Sequence, residues 1–279
     1  MASLVTLLGV GLAASCASPS VTVEAARVRD AAPPSSTAPA TSEAPPRVVP
    51  PKAGLPVVDY WPSPRGLPKD PAPMSLRRPT EGLRPTGLIG LYDRPGGTAK
   101  VMLAPHIRGA PLTLPIVDRR SGWVAILVPS VNRTIAWVPP GKWTTVELRD
   151  QIVVSRSTHE LLWFRDDVHK RTWRVTLGAR SSPTPLGRTF ILGRSMLVGD
   201  VYADTMVFAL GSVPDDVNAI PSGLRGAHIG IHTWYHDGDL GRNTSDGCIR
   251  LTRSGQRLLL DELPAGTTVV VVDRFDHTP

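Results

Sequence analysis

The stretch GAHIGIHTWYHDGDLGRNTSDGCIRL, residues 226–251, carries the strongest signals in this sequence. It contains Cys248, one of only two cysteines. The preceding residues Ser-Asp-Gly are polar and typical of a turn, unlike the surroundings of a cysteine in a core strand. His232 precedes Cys248 by 16 positions, at the end of a short apolar run. A reactive cysteine needs a base nearby, because the thiolate rather than the thiol is the nucleophile. This arrangement predicts Cys248 as a nucleophile and His232 as its base.

The residues around this pair have predicted roles of their own. Gly247 has no side chain beside the sulfur, so the backbone N–H groups of Gly247 and Cys248 are expected to face a developing oxyanion. The backbone carbonyl of Thr233 is expected to hold the second ring nitrogen of His232. Asp246 is a difficulty, because a carboxylate beside Cys248 opposes thiolate formation unless it points outward or pairs with a cation.

The same stretch permits a metal site as an alternative. His228, His232 and His236 are spaced four apart, with Cys248 as a fourth candidate ligand. The apolar run between the first two histidines favours a strand, and no matching carboxylate or second cysteine stands nearby. We therefore expect no metal and no organic cofactor.

Two motifs in this chain resemble a known catalytic family. Ile231-His232-Thr233 followed by Ser245-Asp246-Gly247-Cys248-Ile249-Arg250-Leu251 is similar to the signature of the YkuD-like L,D-transpeptidases, and Thr184–Phe190 resembles their T-P-T-G-x-F segment. The likeness covers residues 145–273. Thr233 stands where glycine is usual, and Asp246 stands where His or Lys is usual.

The resemblance implies a fold, a reaction and a set of partners. It implies an exported peptidoglycan L,D-transpeptidase that forms 3→3 cross-links between stem peptides through a cysteine acyl-enzyme, with β-lactams of the carbapenem class as inhibitors. Arg250 occupies the position of the family's arginine, which implies that it orients the nucleophile loop or binds a substrate carboxylate, as suits its planar fork. Ser245 is expected to form a hydrogen bond within the substrate site.

Composition agrees with a protein of the cell envelope. The chain has 279 residues, 41% of them hydrophobic, and a formal net charge of +7. A basic excess suits anionic wall polymers and phospholipid head groups as well as nucleic acid. No basic-aromatic RNA motif or recognition helix is visible, so we expect no nucleic acid partner.

The N-terminus predicts export. Residues 4–14 form an apolar run of the length of a signal-peptide core, too short to span a bilayer as a mature helix. The run ends in Leu-Ala-Ala-Ser-Cys16, which resembles a lipobox, so Cys16 is a candidate lipidated residue. An ordinary signal peptide with an incidental cysteine is the alternative. Residues 1–16 are thus predicted as a signal peptide, with the mature protein anchored outside the cytoplasmic membrane.

The chain between the signal and the catalytic region divides into two parts. Residues 17–85 hold 16 of the 29 prolines and are predicted as a disordered linker, because such a segment buries too little apolar surface to offset its ordering entropy. Residues 86–142 contain two predicted strand pairs, 88–92 with 100–103 and 123–128 with 134–138. These short strands predict a small β-barrel-like domain. It resembles a bacterial Src-homology-3-like wall module at Ser121–Val124 and Ala136–Val138.

The catalytic region, residues 145–273, is predicted to be mainly β. Strands are expected at 151–154, 160–164, 172–177 and, centrally, 268–272, with a hairpin turn at 165–167. One short helix is expected at 252–263, with Thr252 as its N-cap and a proline following. The predicted fold is an L,D-transpeptidase-type β-sandwich with a short helix, preceded by the barrel-like domain.

Three functions remain open from the sequence. The first is the transpeptidase. The second uses the same acyl-enzyme but transfers it to water, as an L,D-carboxypeptidase, or to a protein amine. The third is a wall-binding protein whose catalytic domain is degenerate, which Thr233 and Asp246 make worth testing.

Overall fold

Two large β-sheets form most of this computed structural model. The structure describes residues 46–61, 64–196, 205–212 and 228–276, all within one compact unit, Glu43–Pro279. The predicted signal peptide, Cys16 and the linker as far as residue 45 lie outside the described residues. In the described part, residues in strands far outnumber residues in helices, which confirms the predicted mainly-β class.

The first sheet is antiparallel and curled, with the strand order β3-β2-β8-β7-β6-β1-β9. Its strands, together with the small hairpin β4–β5, are β1 Glu81–Pro85, β2 Ile89–Tyr92, β3 Ala99–Leu103, β4 His106–Ile107, β5 Ala110–Pro111, β6 Leu114–Arg120, β7 Trp123–Leu127, β8 Ile135–Val138 and β9 Trp143–Glu147. Both predicted strand pairs are present, β2 with β3 and β7 with β8.

The predicted boundaries of this domain, residues 86 and 142, are wrong at both ends. β1 precedes the predicted start, β9 follows the predicted end, and the two strands pair along their full length. The strands of the first sheet therefore run from Glu81 to Glu147, and those of the second sheet begin at Asp150. The pairing joins residues 58 to 66 positions apart in sequence, which a local strand pattern does not reveal.

The prediction of a disordered linker as far as Pro85 is also wrong for its described part. Residues 46–61, here called the strap, lie along the first sheet: the Tyr92 hydroxyl donates to the Val49 carbonyl at 2.7 Å, and Met102 exchanges backbone hydrogen bonds with the strap. Tyr60 is fully buried. A proline-rich segment cannot form a core of its own, but this one docks on a core that another segment provides.

The second sheet is mixed, with the order β12-β11-β10-β19-β14-β15-β16-β18. Its strands and those of the separate pair β13–β17 are β10 Asp150–Ser155, β11 Glu160–Arg165, β12 Val168–Arg174, β13 Leu177–Gly178, β14 Gly187–Ser195, β15 Val207–Leu210, β16 Gly230–His232, β17 Asn243–Ser245, β18 Ile249–Arg250 and β19 Thr268–Val272. As predicted, β19 is central. It lies parallel to β10 and antiparallel to β14.

The helix and the hairpin turn follow the sequence closely. The helix α1 spans Arg253–Glu262, and the Thr252 side chain accepts a hydrogen bond from the Gly255 N–H, which confirms the predicted N-cap. The hairpin turn has positive φ at Asp166 and Asp167. The strand after it begins at Val168, four residues before the predicted start. Across the described ranges, no helix has the length and apolarity to cross a membrane.

Strand β14 joins the two sheets. Phe190 and Leu192 pack in the core of the first sheet, whereas Ile191 packs in the core of the second. Successive side chains of a strand point to opposite faces, so a single strand serves both cores. At its start, the Arg188 guanidinium makes two 2.6 Å hydrogen bonds to the buried Asp70 carboxylate.

Candidate active site

The site lies where β16 and β18 run side by side at the end of the second sheet. The two strands are parallel, with Ile231 beside Ile249 and His232 beside Arg250. Both isoleucines are fully buried in the core. Because side chains alternate along a strand, His232 and Arg250 lie on the opposite face of the sheet. The same alternation places Cys248, one residue before β18, on the face of His232.

His232 is buried and held in one tautomer. Its Nδ1 lies 2.6 Å from the Thr233 carbonyl oxygen. A carbonyl only accepts, so Nδ1 carries the proton, and in the neutral ring Nε2 is left as an acceptor. Burial, opposed by this hydrogen bond and assisted by the Arg250 charge, lowers the pKa of His232 to about 4. The ring is therefore neutral near pH 7, and the expected contact with Thr233 is present.

Cys248 is a free cysteine, half-buried. Burial raises the pKa of its thiol, while a backbone hydrogen bond at Gly230 and the Arg250 charge lower it. Asp246 raises this pKa as well, as the smallest of the four influences, and its side chain is exposed. The sequence predicts that Asp246 either points outward or pairs with a cation. Its exposed side chain agrees with the outward orientation.

Hydrogen bonds within the loop before Cys248 hold its shape. The Ser245 hydroxyl donates to the Cys248 carbonyl at 2.6 Å and accepts from the Gly247 N–H at 3.2 Å. This contradicts the expectation that the Gly247 N–H faces an oxyanion, because that N–H is already bonded within the turn. Ser245 is likewise engaged inside the loop rather than facing a substrate. The Cys248 N–H remains the candidate oxyanion donor.

Gly247 is needed for the shape of this loop. Its φ is +106°, a region that residues with a Cβ rarely adopt. A Cβ at this position would also lie 3.0 Å from Ile229 Cδ1. The glycine predicted to help catalysis through its N–H thus acts through its backbone conformation.

Arg250 lies close to the reactive pair and is held from two sides. Its backbone exchanges two hydrogen bonds with Thr176, at 2.8 and 2.9 Å. Its guanidinium carbon lies 3.5 Å from the centroid of the Trp234 ring. The structure therefore places a positive charge beside both His232 and Cys248, whose pKa values it lowers.

The segment Thr184–Phe190 is structural in the described part of the chain. The Thr184 hydroxyl accepts a hydrogen bond from the Gly178 N–H at 2.9 Å, and Phe190 is fully buried. Gly187 has a φ of +101° and lies against the Arg133 guanidinium, where a Cβ would collide. The loop just before it, Ser182–Pro183, passes beside Gly247.

Two residues of the site were missed from the sequence. Trp234 stacks on Arg250, and Gln256 of α1 donates from its amide to the carbonyls of Met206 and Ile231 at 2.8 and 3.1 Å. Gln256 lies at helical spacing from the buried Leu259 and Leu263. A polar residue on an otherwise apolar helix face was the available signal, since a buried amide needs partners.

The structure separates the three histidines of the metal alternative. His228 stacks on Tyr60, with ring centroids 3.7 Å apart, and His236 is exposed. Within the described ranges, no group of three or more His, Cys, Asp or Glu side chains is placed to hold a metal ion.

Comparison with known proteins gives a family match over the second sheet. Residues 149–271 match the family model of YkuD, the L,D-transpeptidase catalytic domain. A comparison with curated proteins finds no match.

Solved structures of similar fold include three L,D-transpeptidases. One from Mycobacterium smegmatis is 17% identical, with 57% of this chain and 82% of that chain covered and a TM-score of 0.38. One in complex with imipenem is 19% identical, with 50% and 74% covered and a TM-score of 0.37. L,D-transpeptidase 3 from Mycobacterium tuberculosis, in complex with a faropenem-derived adduct, is 17% identical, with 50% and 74% covered and a TM-score of 0.37.

Proposed function

Starting from the L,D-transpeptidase catalytic domain of residues 149–271, we propose that this protein forms 3→3 cross-links between peptidoglycan stem peptides through an acyl-enzyme on Cys248. The observation that carries the proposal is the pairing of β16, which ends at His232, with β18, which begins directly after Cys248, and the imidazole tautomer fixed by Thr233. This is the nucleophile, base and orienting group that acyl transfer by a cysteine requires.

In the first half-reaction, Cys248 attacks the carbonyl carbon of the diamino acid–D-Ala bond of a donor stem. Because burial disfavours both the thiolate and the imidazolium, the resting pair is a neutral thiol and a neutral imidazole. His232 Nε2 takes the thiol proton as the sulfur–carbon bond forms, and the carbonyl π electrons move to oxygen. The oxyanion then collapses, the C–N bond breaks, and the imidazolium returns its proton to the departing D-Ala amine.

In the second half-reaction, the side-chain amine of another stem attacks the thioester. His232 accepts the amine proton, the C–S bond breaks, and the Cys248 sulfur is reprotonated. Attack by water at the same stage gives the carboxypeptidase, and attack by a protein amine gives protein attachment to the wall.

The test of the nucleophile uses a carbapenem, because a thiol that attacks a peptide carbonyl also opens a strained β-lactam ring. We expect one covalent meropenem adduct per chain by intact mass, located on Cys248 by peptide mapping and absent in Cys248→Ser. Serine keeps the approximate size and hydrogen bonding but has a far higher pKa. Absence of any adduct on a chain that circular dichroism shows to be folded would favour the degenerate wall-binding protein.

The test of the reaction is incubation with a purified stem tetrapeptide, read by mass spectrometry. A cross-linked dimer with loss of D-Ala supports the transpeptidase, whereas a tripeptide alone supports the carboxypeptidase. Adding an unrelated protein amine as a competing acceptor distinguishes the third route.

We also propose that the protein is exported and anchored by a lipid on Cys16. The support is the apolar run that ends in Leu-Ala-Ala-Ser-Cys16 and the proline-rich residues after it. Cys16→Ser should release the protein from membranes and leave Cys248 acylation unchanged. An unmodified Cys16 in membrane-extracted protein, by intact mass, would contradict the anchor.

A further inference from the structure

The contact between Trp234 and Arg250 suggests a function beyond packing. The guanidinium carbon of Arg250 lies 3.5 Å from the centre of the Trp234 ring. The other cation–aromatic contacts of the described residues, such as Arg171 over Trp173 at 5.6 Å, are longer. A guanidinium over the face of an indole ring is attracted by the negative face of the ring, and the attraction is stronger where water is excluded.

Burial is what makes this contact effective here. Arg250 is 9% exposed and Trp234 is half-buried. The backbone of Arg250 is fixed by β16 on one side and by Thr176 on the other. Side-chain contacts then set the direction of the guanidinium, and the Trp234 ring, 3.5 Å from the guanidinium carbon, is one of them.

We propose that Trp234 is a positioning residue that holds the Arg250 guanidinium beside Cys248, so that its charge stabilises the thiolate as the proton leaves. The role is distinct from binding a substrate carboxylate, because it acts on the sulfur before any substrate arrives. It rests on the proposed function only in naming Cys248 as the nucleophile.

Two charged groups act on the Cys248 thiol, Arg250 on β18 and Asp246 in the preceding loop. His232, the proposed base, ends the adjacent strand β16. Arg250 lowers the thiol pKa and Asp246 raises it. Trp234 contacts Arg250 and also the His232 ring, with ring centroids 6.1 Å apart, so each Trp234 variant is compared with Arg250→Gln.

The experiment measures the thiolate directly in the full chain with Cys16→Ser, which leaves Cys248 as the only thiol. The ultraviolet absorbance of the thiolate is titrated, and the alkylation rate by iodoacetamide is followed across the same pH range. Trp234→Leu removes the aromatic face, Trp234→Phe keeps one, and Arg250→Gln removes the cation. Arg171→Gln, which removes a cation from Trp173 on the edge strand β12, is the matched control.

We expect Trp234→Leu and Arg250→Gln to shift the titration to higher pH and to slow alkylation below its midpoint by the same factor, about threefold to tenfold. Trp234→Phe should restore most of the wild-type profile, and the double variant Trp234→Leu with Arg250→Gln should be no slower than either single variant. Arg171→Gln should leave the profile unchanged.

Two outcomes would overturn the proposal. In one, Trp234→Leu lowers the melting temperature while the thiol profile stays that of wild type, which is the result of a purely structural role. In the other, the two single variants add in the double variant, which means that they act independently. If Trp234→Leu does not fold, a wild-type profile for Arg250→Gln overturns it. Because no peptidoglycan is used, failure of cross-linking leaves this test intact.

Discussion

His228 and His232 lie four residues apart and are nearly matched in their own chemistry. In both, Nδ1 donates to a backbone carbonyl, of Leu210 at 3.1 Å and of Thr233 at 2.6 Å. Burial is the main cause that lowers the pKa of each. They differ in what lies beside the ring: Tyr60 from the strap covers His228, whereas His232 lies on the face that carries Cys248. A buried, oriented, neutral imidazole is thus not by itself a base, and in the proposed function the neighbouring Cys248 thiol gives His232 that role.

The largest expected difference between the two histidines is in acylation. His232→Ala should slow carbapenem acylation of Cys248 by about a thousandfold at neutral pH, since a positioned general base contributes about 10² to 10⁴ in rate. His228→Ala should slow it far less. The measurement is the second-order rate of adduct formation by mass spectrometry. Equal losses in the two variants would mean that the histidines share one structural or metal-binding role.

The second difference is the effect of acid on stability. The pKa of His232 is lower in the folded chain, about 4, than the ordinary 6.5, so the unfolded state binds more protons between these values. The contribution of the neutral His232 ring to the free energy of unfolding is fully present above pH 6.5 and is lost as pH falls toward 4. The full loss corresponds to about 3 kcal/mol.

Denaturant unfolding at neutral pH and near pH 4 measures this loss. His232→Gln should reduce the difference between the two conditions by most of that amount. His228→Gln should change it in the same direction, and His236→Gln, at an exposed side chain, should not. An unchanged pH dependence in His232→Gln would contradict a neutral, buried imidazole.

The sequence predicted local contacts better than contacts between distant segments. One motif contains both His232 and Cys248, so it could predict that they belong to one site. The contact between His232 and Thr233 could be predicted because the two residues are adjacent in sequence. The pairing of β1 with β9 could not, because it depends on distant segments meeting. The docking of the strap was missed for a related reason. Proline content indicates whether a segment can fold alone, but it does not indicate that Tyr60 packs into a core formed by other segments.

The roles of Gly247 and Ser245 show a second limit. Residue type alone indicated a bare N–H beside the sulfur and a hydroxyl near the substrate. In the structure the Gly247 N–H donates to the Ser245 hydroxyl, which itself donates to the Cys248 carbonyl, because a short polar side chain in a tight turn reaches its own backbone first. Trp234 was missed for lack of any sequence pattern that links it to Arg250 across the loop.

The third prediction removes the group that distinguishes His228. Tyr60→Leu keeps an apolar side chain but removes the ring stacked on His228, and it should lower the free energy of unfolding by about 1 kcal/mol, the worth of an aromatic pair beyond its area. Acylation of Cys248 should stay near wild type. Denaturant unfolding and the adduct assay measure the two quantities, with Val57→Ala, an exposed strap position, as the control.

A large loss of acylation in Tyr60→Leu would break the comparison. It would mean that the strap positions the catalytic strand through His228. The two histidines would then belong to one functional unit.

The smallest effect is expected at Asp246, the position where the sequence seemed to oppose catalysis. Its carboxylate is exposed, and its influence on the Cys248 pKa is the weakest of four. Water and salt screen such a charge, so Asp246→Asn should raise the alkylation rate by no more than about threefold. Asp237→Asn, at another exposed carboxylate of the same stretch, is the control for net charge. The small gain from Asp246→Asn should shrink further as salt is added. A hundredfold gain that is insensitive to salt would mean that the carboxylate turns toward the sulfur in solution. Asp246 rather than burial would then be the main cause that raises the pKa of the Cys248 thiol.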